Sequence, residues 1–331
     1  MKRAGVIGSG SWGTALAVLM AENASDIVLW GRDPHVAGAI NRGRENTAYL
    51  PGAPIPGNVR ATTAWEDLAG LDALFVVVPS TALRSVAERL ARLPLPPGAP
   101  IVSCVKGIEK ATGLRMSQIV AEKVPGQPVA VLSGPNHAEE IGRRLPAAAV
   151  IGCEDTAVGR QLQELVTRPW FRAYTSGDLC GIEWGGAAKN VFAIASGLAI
   201  GLALGDNARA ALITRGLAEM IRLGSAMGGT PETFHGLSGV GDLVATCYSD
   251  HSRNNRVGQA LGRGEKLAGI LAGMTMVAEG VPNTESIYHA ARAAGVRTPI
   301  IDTVYGILYQ DLSPQDGLRA LLSRDPRPEA E

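Results

Sequence analysis

Two lysines, one aspartate and a Ser-Arg-Asn run are the residues of this chain best suited by type and setting to chemistry. Lys189 follows Gly185-Gly186-Ala187-Ala188, with Asn190 after it, in an otherwise apolar stretch that reaches Leu204. An unpaired buried ammonium is costly, so Lys189 needs a partner or a task. Partial burial lowers a lysine pKa and suits it to pass a proton to a carbonyl oxygen near neutral pH; a structural ion pair is the competing reading. Asp242 ends the glycine-dense run Gly236-Leu237-Ser238-Gly239-Val240-Gly241. There it can orient Lys189, accept from a substrate hydroxyl, or only cap a helix. Lys106 closes a strand in Val105-Lys106-Gly107 and can reach a carbonyl or phosphate, although a surface charge fits as well. Ser252-Arg253-Asn254 stands at an expected helix start, where a serine cap, a forked guanidinium and free amides make a phosphate cradle. A capped surface helix would give the same spacing. In Ser133-Gly134-Pro135-Asn136-His137-Ala138, a sharp turn lets Asn136 and backbone amides face a ligand, while His137 can serve as an acid or base, although such a histidine more often caps or packs. Glu279 is an acid in the apolar setting of Val277-Ala278, which packing does not explain.

These groups need elements to hold them. Gly8-Ser9-Gly10-Ser11-Trp12-Gly13 fits the GxGxxG spacing, follows the strand Gly5-Val6-Ile7 and opens a helix from Gly13 to Ala21. In that setting Gly8 allows the tight turn, Gly10 the approach of a pyrophosphate, and Gly13 close helix–strand packing. The second strand, Ile27-Val28-Leu29-Trp30, leads to Gly31-Arg32-Asp33. An arginine there suits the 2′-phosphate of NADP and an acid suits the ribose of NAD; Arg32 tilts the reading toward NADP with NAD tolerated. Further apolar strands are expected at residues 74–78, 101–104, 129–132 and 148–151, with a helix from Thr81 to Leu93 and an irregular loop from Arg42 to Val59. Apolar strands alternating with helices mean a mostly parallel sheet covered on both faces. From about Asp178 strand signals stop and helical periodicity takes over, at residues 183–204, 207–227, 253–262, 281–294 and in the tail. The expected fold is thus an α/β Rossmann-type dinucleotide-binding domain, residues 1–180, followed by an all-α substrate-binding domain, residues 181–331.

Composition narrows the partners. The chain has 331 residues, enough for two domains, with 46% hydrophobic, 19% charged and a formal net charge of +0. That balance gives no pull toward nucleic acid or an anionic membrane, and 5% aromatics leaves little for base stacking. Cys104, Cys153, Cys180 and Cys247 show no disulfide or zinc spacing, so free thiols and no metal are expected. Without a secretory signal or an apolar run of the ~20 residues that span a bilayer, the expected location is cytoplasmic.

The blocks GSGSWGTALA, SGPNHAEEI, GGAAKNVFAIASG, GDNARAALITRGLAEM, GLSGVGDLVATC and SDHSRNNRVG resemble those of the bacterial NAD(P)-dependent glycerol-3-phosphate dehydrogenases, in order, from residue 5 to about 285. The resemblance implies reduction of dihydroxyacetone phosphate to sn-glycerol 3-phosphate with NADP(H) or NAD(H), in supply of glycerophospholipid synthesis. A triose phosphate is then the small-molecule partner, and a homodimer a further expectation. It implies cofactor contacts at Ser11, Trp12, Arg32, Lys106, Ala138, Arg253, Val277 and Glu279. Substrate contacts are implied at Lys106, Gly134, Asn136, Lys189, Asp242, Ser252, Arg253 and Asn254, with Lys189 as proton donor and Lys106 as its catalytic neighbour. Trp184, Val105, Asn255 and Asp33 depart from the usual family residues, and Asp33 leaves NAD in contention.

Overall fold

The computed structural model describes residues 1–274 and 276–323. The last residues of the expected helical tail, 324–331, lie outside them. Among the described residues ten strands form: β1 Arg3–Ile7, β2 Asp26–Trp30, β3 Glu45–Asn46, β4 Leu50–Pro54, β5 Val59–Thr62, β6 Ala73–Val76, β7 Ile101–Ser103, β8 Val129–Ser133, β9 Ala147–Cys153 and β10 Phe171–Ser176. The helices are α1 Ser11–Met20, α2 Pro34–Gly43, α3 Leu83–Leu90, α4 Met116–Lys123, α5 Ala138–Gly142, α6 Thr156–Val166, α7 Leu179–Gly201, α8 Gly205–Ala226, α9 Pro231–Phe234, α10 Asp242–Tyr248, α11 Arg253–Gly262, α12 Leu267–Ala272, α13 Gly280–Ala293, α14 Pro299–Tyr309 and α15 Pro314–Leu322.

Eight strands make one sheet in the order β10-β9-β8-β7-β6-β1-β2-β5. Every neighbouring pair is parallel except β8 with β9. From β1 the chain builds toward β2 and β5, then returns to β6 on the other side. The carboxyl ends of β1 and β6 therefore border the switch point where α/β sheets bind ligands. The inner strands are apolar throughout because both faces are covered: one cluster packs Leu16, Leu19, Phe75 and Val102, the other Ile7, Leu74, Leu83 and Ile119.

The segment from Arg42 to Val59 corrects the expectation of an irregular loop. It holds the end of α2, a small antiparallel β3–β4 pair and the start of β5. Its Pro, Gly and Asn content hides buried Leu50, Ala53 and Ile55. Asn46 anchors it, donating from Nδ2 to the Ser9 carbonyl at 2.9 Å and to Thr14 Oγ1 at 2.8 Å. A second addition is β10, where buried Phe171 and Ala173 alternate with exposed Arg172 and Tyr174 at the sheet edge.

After β10 the described chain has helices and turns but no strand. The helical half is organised around α7. This helix is apolar on all sides and therefore sits inside, packed by α8, α10, α11 and α13. Glycines set its closest approach: a Cβ on Gly197 would stand 2.0 Å from the Asn255 carbonyl oxygen, and one on Gly258 2.0 Å from that of Ile194. Asp178 caps α7, accepting from Gly181 N at 2.8 Å, and also binds Thr230 N and Thr233 Oγ1. Among the described residues no helix is long and apolar enough to cross a membrane.

Candidate active site

The glycine turn sits at the switch point with each glycine in a distinct steric position. Gly8 has φ +124°, and a Cβ there would come within 2.0 Å of the Val77 carbonyl oxygen. At Gly13 a Cβ would meet the Gly8 carbonyl oxygen at 1.8 Å. At Gly10 it would meet no protein atom within 4 Å, so the open side of the turn is turned away from the protein. Gly10 caps α1 without a side-chain bond, and the first-turn amides of Ser11, Trp12 and Gly13 have no carbonyl partner within the helix. Backbone donors, a helix pole and bare space fit a dinucleotide pyrophosphate. Ser11 is buried, with Oγ 3.9 Å from Met276 Sδ, and half-buried Trp12 packs on the adjoining core. Arg32 is exposed past β2. Asp33 caps α2 instead, its carboxylate accepting from His35 N at 2.8 Å.

The two lysines converge on one carboxylate. Asp242, first residue of α10 and 2% exposed, accepts from Lys189 Nζ at 2.9 Å and from Lys106 Nζ at 2.6 Å, one on each oxygen. Lys189 Nζ also donates to Thr246 Oγ1 at 2.6 Å, and Lys106 Nζ to the Gly134 carbonyl at 2.9 Å. The glycine run before Lys189 explains the approach. A Cβ on Gly185 would stand 2.7 Å from the Ser238 carbonyl oxygen, and one on Gly186 2.9 Å from Ser133 Oγ. Burial lowers the Lys189 ammonium to about 8, and the nearby Lys106 charge helps, against the pull of Asp242. Burial pushes the Asp242 carboxyl up, but the two lysines outweigh it and hold it below the usual range. Two ammonium groups against one carboxylate leave net positive charge where a carbonyl oxygen can gain negative charge. That is the electrostatics of oxyanion stabilisation beside a proton donor.

Past this cluster, the turn after β8 carries Gly134, with φ +134°, and Asn136. Both polar atoms of the Asn136 carboxamide are buried without a hydrogen-bond partner. Leaving such a group bare costs about 1–3 kcal/mol, and a polar group of a ligand at this turn would satisfy it. Ala138 follows, buried, as the first residue of α5. Opposite, Ser252 Oγ caps α11 by accepting from Asn255 N at 3.2 Å, while Arg253 Nη1 donates to the Val277 carbonyl at 2.8 Å. The Asn254 carboxamide faces inward, donating to Asn190 Oδ1 and accepting from Gly280 N, both at 2.9 Å. Its backbone amide, like that of Arg253, belongs to the first turn that has no intrahelical partner.

The helical half is clasped to the sheet half around these groups. Glu279 accepts from Ser80 N at 3.0 Å and Ser80 Oγ at 2.5 Å, binding α13 to the loop after β6. Burial raises the Glu279 carboxyl, against the Ser80 donors and the Arg253 charge. Asn283 Nδ2 donates to the Lys106 carbonyl at 2.8 Å and so holds the backbone under that lysine. Glu183, buried on α7, accepts from Arg115 Nη1 at 2.5 Å and from Ser117 N and Oγ at 2.7 and 2.6 Å.

The structure thus gathers Lys106, Lys189, Asp242 and Gly134 in one contact group, with Ser252 and Arg253 at the start of α11 and Glu279 locked to the opposite half. Val277, 47% exposed, offers only its carbonyl, to Arg253. Thr246, Ser80, Asn283 and the pairing of Asn190 with Asn254 are absent from the sequence-based set. Thr246 was within reach of pattern reading, lying one helical turn beyond Asp242.

A glycine turn at the switch point of a mostly parallel sheet, with a lysine–carboxylate cluster that joins the sheet half to the helical half, defines a two-domain dinucleotide-dependent oxidoreductase. Residues 3–159 match the family described as NAD-dependent glycerol-3-phosphate dehydrogenase N-terminus, and residues 178–319 the family described as NAD-dependent glycerol-3-phosphate dehydrogenase C-terminus. The chain is 48% identical over 330 residues to the glycerol-3-phosphate dehydrogenase [NAD(P)+] of Streptomyces griseus, covering 99% of this chain and 98% of the relative. It is 44% identical over 335 residues to the protein of the same name from Exiguobacterium, covering 100% and 98%. A crystal structure of glycerol-3-phosphate dehydrogenase from Coxiella burnetii superimposes with a TM-score of 0.93 at 37% identity, covering 98% of this chain and 99% of that one. The chain belongs to the NAD-dependent glycerol-3-phosphate dehydrogenase family.

Proposed function

We propose that this protein reduces dihydroxyacetone phosphate to sn-glycerol 3-phosphate with NADPH or NADH, reversibly, and feeds glycerophospholipid synthesis. One observation carries the reading: Lys189 and Lys106 share the buried carboxylate of Asp242, one on each oxygen. Gly8, Gly10, Ser11, Trp12 and Gly13 hold the pyrophosphate. Arg32 pairs with a 2′-phosphate when NADPH is used, and Ala138, Arg253, Val277 and Glu279 border the rest of the dinucleotide. The reduced nicotinamide, when bound, supplies the hydride to the ketone carbon. Lys189 protonates the ketone oxygen, a task that fits a pKa of about 8. Lys106 adds positive charge on that oxygen, and Asp242 orients both amines. Gly134 and Asn136 meet the substrate's polar groups, the Asn136 carboxamide being the bare one. Ser252, Arg253 and the Asn254 amide hold the remote phosphate, and that binding energy orients the carbonyl.

We divide the chain at residues 180 and 181 into a cofactor domain and a substrate domain, which limited proteolysis would test. We place the enzyme in the cytoplasm, where its four free cysteines stay reduced. We expect it to work as a homodimer, with exposed Tyr174 and Tyr309 among the apolar groups a second copy can cover; light scattering at the mass of one chain would refute this. The decisive assay follows loss of NADPH, then NADH, on addition of dihydroxyacetone phosphate. Wild-type turnover together with silence in Lys189→Ala supports the assignment, and undiminished turnover in that variant removes it.

A further inference from the structure

Beyond the lysine pair, the sheet half and the helical half present one histidine each to the other. His137 follows Asn136 in the turn after β8, and His251 precedes Ser252 and Arg253 at the start of α11. Their rings stand 6.0 Å apart between centroids, tilted by 48°. Each is the chain neighbour of a group assigned above to the substrate, so the two substrate-facing segments meet ring to ring. His137 also lies in the field of the catalytic cluster. Burial and then the Lys189 charge lower its pKa, while the Ala245 backbone, Asp242 and Glu140 raise it. An imidazole has two nitrogens, and a neutral ring donates from one of them. His251 is exposed, flanked in sequence by Asp250 and Ser252.

A phosphate monoester carries nearly two negative charges near neutral pH. Arg253 supplies one positive charge, and the start of α11 about half of one. Two ring N–H donors can add hydrogen bonds to the phosphate oxygens, one from each half. We propose that His137 and His251 clamp the substrate's phosphate, one from each half, and that the pair sets the preference for a phosphorylated ketone over its unphosphorylated form. The clamp rests on the reading of the cleft as a triose phosphate reductase site.

The test compares wild type, His251→Asn, His137→Asn and the double variant on dihydroxyacetone phosphate and on dihydroxyacetone, which has the same ketone and no phosphate. The ratio of kcat/KM for ester over ketone should fall by roughly tenfold in the double variant, mostly through KM for the ester. His251→Asn alone, altering an exposed ring, should account for a several-fold fall even if the double variant folds poorly. A structural role would lower both substrates together and leave the ratio where it was, and an unchanged ratio overturns the clamp. Wild-type enzyme that reduces neither ketone overturns the underlying reading, and the clamp falls with it.

Discussion

The start of α1 and the start of α11 both border Met276, whose Sδ lies 3.9 Å from Ser11 Oγ and which lines one pocket with Arg253, yet the chain finishes them differently. Gly10 caps α1 with no side-chain bond and open space around it, so the first-turn amides have no carbonyl partner within the helix. Ser252 caps α11 and occupies the amide of Asn255, and Arg253 is drawn onto the Val277 carbonyl. A third helix start shows the limit of this series. At α14, the amides of Ile300 and Ile301 donate to the buried carboxylate of Glu219 at 3.0 and 2.9 Å. There the protein supplies its own acceptor, and the two amides are already taken. The start of α1 thus presents bare backbone, and the start of α11 side chains that already hold bonds of their own. Changes on the first wall should act through shape, and changes on the second through charge.

The largest expected break is on the charged wall. Lys189→Ala should lower kcat by about a hundredfold to ten-thousandfold, the range for lost acid catalysis, with NADPH affinity by fluorescence titration within about twofold of wild type. Next is Asp242→Asn. In wild type the reduction rate should fall as pH rises through about 8, where Lys189 loses its proton. Asp242 raises that pKa, so its neutral replacement should move the fall in kcat/KM to lower pH and leave the rate at pH 8 roughly tenfold lower or more. A pH profile that keeps its position would remove Asp242 from that role. On the backbone wall, Gly10→Ala adds a methyl that meets no protein atom. It should keep the melting temperature within a few degrees while weakening cofactor binding by roughly tenfold, about 1.4 kcal/mol. Loss of fold would contradict the steric assignment. Ser252→Ala should cost about 1 kcal/mol of stability through the lost cap and raise KM for the phosphate ester several-fold, readable from urea unfolding and steady-state kinetics.

The smallest effect concerns the start already filled. Burial raises the Glu219 carboxyl from 4.5 to about 7, against the backbone donors of Ile301 and Ile300. Between these values the folded chain keeps a proton that the unfolded chain releases. That contribution to stability is whole below about pH 4.5 and is lost as pH rises through 7. Glu219→Gln has no such proton, so its unfolding free energy should vary less across that window than wild type does. Parallel pH curves for the two proteins would refute the assignment.

What the sequence made legible follows from range. The glycine turn was readable because its parts lie within six residues and their roles are local. The sheet half and helical half were readable because the hydrophobic period changes near Asp178. Lys189 stood out as a charge in an apolar run. The Arg42–Val59 segment was misread because its buried Leu50, Ala53 and Ile55 are separated by Pro and Gly, so no period forms. β10 was missed because an edge strand with one covered face gives only a short alternation. The clasps were beyond reach for another reason. Arg115 and Glu183 are 68 residues apart, and Ser80 and Glu279 are 199 apart. Nothing in a linear pattern pairs polar residues over such distances, and the inward turn of Asn254 depends on Asn190, 64 positions away.

The unbroken course of α7 has a consequence for how this family can vary. Asp178 fixes the angular phase at one end, and Lys189 is read out three turns later on the same rigid screw. One residue inserted or deleted between them would rotate everything downstream by about 100°, swinging the amine out of the cleft while preserving its chemistry. Length changes are thus barred from this stretch far more strictly than substitutions, and new specificities have to come from the loops that feed the cleft from outside the screw.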